Sequence, residues 1–388
     1  MREPPQIAGD RIIGALEASF SFRVAALEFL PLGNDSASWS FKVQAAQGPS
    51  YFLKVRAAAR PSPAVVGPAP AVAWPTPAVA AGPGEGGGVT LGPDEGDTVE
   101  LGWGTSPDPA VGAAVPSYLH GQGVPDVLAP VTTNAGAPYV LVDRFALALY
   151  PLLEASPGVQ VGLSPGQWRL LGASVRRVHD VPLTPRLTSL VGWEAFRPSR
   201  RELIPHLQAL VGSAEQRDPV THELAEAWRA REDIVHTLVE QADELGGQIA
   251  SERFPLVLCH ADLHTWNVLV DADQQLWIVD WDEAILAPKE RDLMFVIGGI
   301  DRRLVRPNDT EHFLQGYGEA TIDQRLLAYY RIAWAVQDIA AFGQEALMMP
   351  ELGEESQRDA VSFFAGLFHP DGIVDLASAS GTVDPTPA

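Results

Sequence analysis

The 388-residue chain has a single cysteine, Cys259, and little positive charge. One thiol excludes an internal disulfide framework and a multi-cysteine zinc site. The 27 Lys+Arg face 49 Asp+Glu, a formal charge of −22. Binding a nucleic-acid backbone needs a basic surface, so no nucleic acid is expected as partner. Docking on an anionic membrane is disfavoured for the same reason. No apolar run approaches the roughly 20 residues that cross a bilayer. The first residues, Met1-Arg2-Glu3-Pro4-Pro5, do not form the apolar core of a signal peptide. These absences predict a soluble, cytoplasmic protein, monomeric or weakly dimeric. The acidic surplus suits attraction of a cationic small molecule. Hydrophobic residues are plentiful at 46%, enough for a sizeable core, and the length suggests two to three domains or lobes.

Residues 57–112 hold ten prolines and eleven glycines. Proline removes backbone donors and glycine is entropically costly to order, so this stretch is expected to be a disordered insertion, a lid or a tolerated surface loop. Before it, Ile12, Ile13, Leu16 and Phe20 recur at helical spacing over 9–20. Strand-like runs follow at 23–31, 38–45 and 50–56, and after the insertion at 127–131 and 139–142, with a short helix over 113–122 between. From about 146 the pattern turns helical, with amphipathic segments at 165–180, 199–213, 220–245, 322–348 and 355–367. Short strand-like runs interrupt these helices within 256–297. The expected architecture is α+β and two-lobed: a small sheet-based N-lobe over 1–145, a helical C-lobe over 146–376, and a flexible tail over 377–388.

The interruption carries the chemistry. Cys259-His260-Ala261-Asp262-Leu263-His264-Thr265-Trp266-Asn267 contains H-x-D-x-x-x-x-N, and Asp280 follows in Ile278-Val279-Asp280-Trp281-Asp282. The spacing fits phosphoryl transfer to a hydroxyl, which is mainly positioning and charge neutralisation. Asp262 is the candidate carboxylate that meets the attacking hydroxyl and accepts its proton. Asn267 and Asp280 are candidate ligands of Mg²⁺, which takes hard oxygen donors and shares its shell with phosphates. The plainer alternative is that Asp and Asn here serve as ordinary turn residues.

This stretch resembles the aminoglycoside phosphotransferase family, whose loop typically reads H-G-D-x-H-x-x-N. Here alanine stands at the glycine position. The continuation Val279-Asp280-Trp281-Asp282-Glu283 with Leu286-Ala287-Pro288-Lys289-Glu290-Arg291-Asp292-Leu293-Met294-Phe295 is similar to the spectinomycin-phosphorylating branch. Tyr329-Tyr330-Arg331 and Gln337-Asp338-Ile339-Ala340 extend the likeness. The resemblance implies a protein-kinase-like fold and an ATP- and magnesium-dependent transfer, with GTP an alternative donor. It implies a cationic hydroxylated acceptor, an aminocyclitol or aminoglycoside antibiotic such as spectinomycin, and hence antibiotic resistance. It also implies roles. Lys54 would pair with the nucleotide phosphates, beneath a phosphate-covering loop holding Ser36 and Ser38. Asp143 and Phe145 would flank the nucleobase at a linker between lobes. His260, His264 and Asp292 would support the catalytic loop. Asp282, Glu283 and Asp338 would meet acceptor ammonium groups.

One departure stands out. The family pairs its strand lysine with a glutamate on the following helix, and here Ala110 occupies the matching place, with Asp108 and Glu100 out of position. This opens a second reading, a nucleotide-binding pseudokinase without turnover. Among enzymes, a kinase of another hydroxylated metabolite is the alternative, and a protein kinase is the third reading, disfavoured by the helices over 146–250 that suit a closed acceptor pocket.

Overall fold

A computed structural model describes residues 3–32, 37–57, 110–213 and 218–380. Most of the Pro/Gly-rich stretch, residue Ser36 and the last eight residues lie outside them.

The N-terminal lobe is one antiparallel sheet with a helix on each face. The first helix, α1 (Gly9–Ser19), leads into β1 (Val24–Leu30), β2 (Ser38–Ala45) and β3 (Ser50–Ala57). After the undescribed segment come α2 (Val111–Gly121), β4 (Val140–Val142) and β5 (Phe145–Pro151). The strand order is β1-β2-β3-β5-β4. The sheet therefore continues past the expected boundary at 145, since β5 pairs with β3 from Ala57↔Phe145 to Tyr51↔Pro151. Period-two alternation divides its faces. Leu53, Val55, Phe145, Leu147 and Leu149 join Ile12 and Leu16 of α1 in one core. Ala148 and Tyr150 take the opposite face, where Ala113 of α2 and Phe52 pack. The segment 127–131 is not a strand of this sheet: Val127 makes an isolated parallel bridge to Ile278.

The insertion is shorter at both ends than 57–112. Ala57 completes β3, and Val111 and Gly112 already belong to α2. Proline at 116 in mid-helix leaves the carbonyl of Gly112 without its usual amide donor. The hydroxyl of Tyr150 donates to that carbonyl instead, at 3.0 Å, and ties α2 to the sheet.

The chain passes from one lobe to the other at 152–154. Then β6 (Ala155–Pro157) pairs with β9 (Val268–Asp271), which also pairs with β10 (Leu276–Ile278). Helices α3 (Gly158–Val161), α4 (Pro165–His179), α5 (Pro185–Leu190), α6 (Ile204–Gly212), α7 (Pro219–Arg229) and α8 (Glu232–Ala250) follow the crossing. The expected helix 220–245 is two helices, broken at Ala230-Arg231. A second small sheet joins β7 (Gly192–Trp193), β8 (Val257–Cys259) and β11 (Ile285–Ala287). The lobe closes with α9 (Glu290–Leu293), α10 (Pro307–Tyr317), α11 (Gln324–Met348), α12 (Glu354–Gly366) and α13 (Ile373–Ser380). The expected tail does not begin at 377, because Ala377 is buried within α13. Helix α11, 25 residues long, is apolar nearly all round and forms the axis of this core. Among the described residues, no helix is long and apolar enough to cross a membrane.

Helix α4 ends in His179, which meets Asp292 beneath the catalytic loop, and its ends are well specified. Ser164 accepts from the Gln167 amide while Gln167 returns a bond to the Ser164 amide, with Pro165 at the first helical position. Its crossing with α10 is close because glycines meet backbone. A Cβ at Gly172 would overlap the Phe313 carbonyl, and one at Gly316 the Arg169 carbonyl. Gly172→Val is therefore expected to cost about 1–3 kcal/mol through overpacking. Thermal unfolding should show a melting point lowered by several degrees; an unchanged one would contradict the close crossing.

Candidate active site

The site forms where β3 faces the loops after β8 and β10. Because Leu53 and Val55 enter the core, Lys54 and Arg56 point together toward the C-lobe. Lys54 Nζ lies 2.7 Å from Oδ1 of Asp280 and 2.5 Å from Oδ2 of Asp282. Arg56 reaches the same Oδ2 of Asp282 through Nη1. Burial disfavours the Lys54 ammonium, but the two carboxylates outweigh it and its pKa is raised. Burial likewise opposes charge on Asp282, yet Lys54 and Arg56 hold its carboxyl below the usual range.

The loop after β8 is shaped by its backbone. Ala261 has φ 65° and Asp280 has φ 66°, both in the left-handed region. That conformation costs a residue with a Cβ roughly 1–2 kcal/mol. The cost at Ala261 is offset by Asp292, in α9, which is 1% exposed. Its two oxygens accept from the amides of His260 at 2.9 Å and Ala261 at 2.7 Å. It also pairs with Nε2 of His179 at 3.0 Å, and Nδ1 of His179 meets the Tyr317 hydroxyl at 2.8 Å. Burial opposes the charge of Asp292, but the His179 hydrogen bond and the Ala261 amide hold its carboxyl low.

The His260 ring bridges the loop and the next hairpin. Its Nε2 lies 2.9 Å from the Val279 carbonyl, and its Nδ1 takes the Asp262 amide at 3.2 Å. Those two contacts together require the proton on Nε2. Asn267 donates Nδ2 to the Asp262 carbonyl at 2.8 Å and to Asp262 Oδ2 at 2.9 Å. His264 Nε2 is 3.2 Å from the other Asp262 oxygen. The Val279 amide donates to the Asn267 carbonyl at 3.0 Å, so the residue before Asp280 is tied to the loop. Asp262, Asn267, Asp280 and Lys54 thus converge on one cleft. A small cavity beside Lys54 and Asp280, on the α2 side, is lined by Lys54, Gly112, Tyr150, Asp280 and Trp281.

The donor set suits a hard divalent cation. The Asn267 amide nitrogen is committed to Asp262, which leaves its oxygen as the free acceptor, and Asp280 supplies a carboxylate.

Asp338 on α11 is half-buried. Its burial and the charge of Asp262, only partly offset by Arg200 and Arg291, push its carboxyl up to about 8. Glu283 is half-buried beside Asp282. Ser38 opens β2 opposite Arg56 and is buried, while Ser36 lies outside the described residues.

Three expected placements change. Asp143 and Phe145 do not flank a cleft. They bound the β4–β5 turn, where Asp143 takes φ 54° and accepts from Arg11 at 2.8 Å, and Phe145 is buried against Trp39. Asp282 does not line an acceptor pocket, since its carboxylate is buried and taken by two cations. In the sequence Arg56 has no assigned role, and His179 reads as a structural or exposed residue. Arg56 was open to discovery, because residues i and i+2 of a strand share a face.

Residues 113–334 match the model of the Phosphotransferase enzyme family. Among solved structures, the chain is similar to "Spectinomycin Phosphotransferase, APH(9)-Ia, in complex with ADP" and spectinomycin. The identity is 23%, over 98% of this chain and 100% of that one, with a TM-score of 0.74. The AMP-bound complex of the same protein matches at 24% identity over 96% and 99%, TM-score 0.70. A microcompartment-associated aminopropanol kinase matches at 16% identity over 95% and 98%, TM-score 0.52. At these identities the likeness establishes the shared fold.

Proposed function

The chain belongs to the phosphotransferase enzyme family, and we propose on that premise that it transfers the γ-phosphoryl group of ATP to a hydroxyl of an aminocyclitol or aminoglycoside, with spectinomycin the first acceptor to test. The observation that carries this reading is the convergence of Asp262, Asn267, Asp280 and Lys54 on one cleft, on a loop braced by Asp292. The acceptor class rests on two supports. One is the spectinomycin-bound relative, whose whole length this chain covers. The other is the pair Asp262 and Asp338, close enough that the charge of Asp262 raises the Asp338 carboxyl, a strain that an incoming ammonium group would relieve.

Asn267 and Asp280 would hold Mg²⁺, which when bound neutralises developing charge on the phosphates. Asp262 receives the acceptor's O–H and takes its proton as the oxygen attacks the γ-phosphorus. The new O–P bond forms while the bond from that phosphorus to the β–γ bridging oxygen breaks, and ADP leaves. Asn267 holds the Asp262 carboxylate through Oδ2 beforehand, with His264 beside the other oxygen, so less reorganisation remains for the reaction itself. Lys54 draws the phosphates toward β3. His260 keeps the hairpin of Asp280 registered against the loop of Asp262.

Turnover is favoured over a scaffold role. Asp262 keeps its carboxylate in a loop that places a left-handed alanine beside it, and a protein that only binds nucleotide has no use for that expense. Mass spectrometry of spectinomycin incubated with the protein, MgCl₂ and ATP tests the reading. A product heavier by one phosphoryl group is the expected result. ADP binding without any phosphorylated product across a panel of aminocyclitols and aminoglycosides would overturn the acceptor assignment.

A further inference from the structure

We propose that Asp282, clamped by Arg56 and admitted by Gly112, is the carboxylate that orients Lys54 toward the nucleotide, in place of a carboxylate on α2. The assignment rests on the reading of Lys54 as a phosphate-binding residue. Helix α2 carries no Asp or Glu along its length, and Ala110 precedes it as a buried cap. Lys54 nonetheless meets two carboxylates, and they differ in kind. The Asp280 side chain is 43% exposed and has a second claim on it as a magnesium ligand. The Asp282 side chain is 7% exposed, and its described ionic partners are Lys54 and Arg56. Only Asp282 can stay with Lys54 when the site is loaded.

The surroundings are shaped for this arrangement. Arg56 keeps its charge at any accessible pH, and its side chain, 5% exposed, holds Asp282 Oδ2 through Nη1. A Cβ at Gly112 would overlap the Asp282 carboxylate, so this turn of α2 leaves room for an acidic side chain arriving from the other lobe. The Tyr150 hydroxyl on the Gly112 carbonyl secures α2 without any charge.

The test compares ADP affinity by calorimetry, in EDTA and in MgCl₂, with steady-state kinetics. Asp282→Asn removes the charge and keeps the shape. Losing a charged hydrogen-bond partner is worth roughly ten- to hundred-fold, so ADP affinity in EDTA and the KM for ATP should both worsen by about that factor. The KM for the acceptor should move less than about two-fold, a split that general loosening of the fold would not give. Combining Asp282→Gly with Gly112→Asp moves the carboxylate onto the helix and should recover part of the loss. If Asp282→Asn does not fold, Gly112→Ala displaces the carboxylate without deleting it and should weaken ADP in the same direction. Unchanged ADP affinity in these variants, or the same loss produced by Asp108→Ala alone, would overturn the assignment. Wild-type protein that binds no ADP would instead overturn the nucleotide reading on which it stands.

Discussion

Replacing Asp262 by alanine should lower turnover by roughly 10²–10⁴-fold, the usual span of general-base catalysis, while ADP affinity stays near that of the wild type. The geometry separates the two effects. Asn267 holds Asp262 through both the side chain and the main-chain carbonyl, so alanine removes one bond and leaves the other at 2.8 Å. The His260 ring meets the Asp262 amide, which alanine retains. The loop should therefore keep its course while losing the proton acceptor. The variant also removes the negative charge that helps push Asp338 upward, so the carboxyl of Asp338 should titrate lower than about 8. Single-turnover rates with saturating ATP, beside ADP calorimetry, make the comparison. A rate within a few-fold of wild type would remove Asp262 from the chemistry.

Asp292→Ala should be the most destructive single change. It strands the amides of His260 and Ala261 and the Nε2 of His179, all buried. Each unsatisfied buried donor costs about 1–3 kcal/mol, and whole domains are stable by only about 5–15 kcal/mol. Large loss of soluble protein, or a melting point lowered by many degrees, is expected. Asp292→Asn should sit between, since its amide group can accept on one side only. The sign with pH follows from the lowered carboxyl. A group depressed in the folded state contributes stability above its ordinary value of 3.8 and loses it as pH falls through the folded value. The stability gap between wild type and Asp292→Asn should thus be full near neutrality and close in acid. A gap that widens in acid would contradict the assignment.

The catalytic segment was legible because its roles lie within one short stretch, from His260 to Asp280, and require particular functional groups. Lys54 was legible only through the family resemblance, because one lysine at a strand end is otherwise an ordinary solvated charge. Two things were not. The run Phe145-Ala-Leu-Ala-Leu-Tyr-Pro151 is apolar on both faces because α1 covers one and α2 the other, and periodicity cannot separate such a strand from a buried helix. For that reason the sequence puts the lobe boundary six residues early and makes Asp143 and Phe145 a linker, whereas they bound a turn within the sheet. The partner of Asp282 was hidden for a different reason. Its cations are 226 and 228 residues away, and nothing local in Asp-Trp-Asp distinguishes a carboxylate that meets ligand from one that meets arginine. The break at Ala230-Arg231 carries no proline or glycine to announce it.

The sole cysteine has a practical consequence. Cys259 ends β8 directly before His260, fully buried, with its sulfur 3.7 and 3.6 Å from the carbonyls of Ala287 and Pro288. Burial and the nearby Asp292 charge raise its thiol well above the ordinary value, so the closed protein presents almost no thiolate. A soluble alkylating reagent can reach it only when β8 and β11 part. With no second thiol to confuse the signal, the labelling rate counts openings of the segment that carries the catalytic loop. The chain holds its own clock for how often its active centre comes undone.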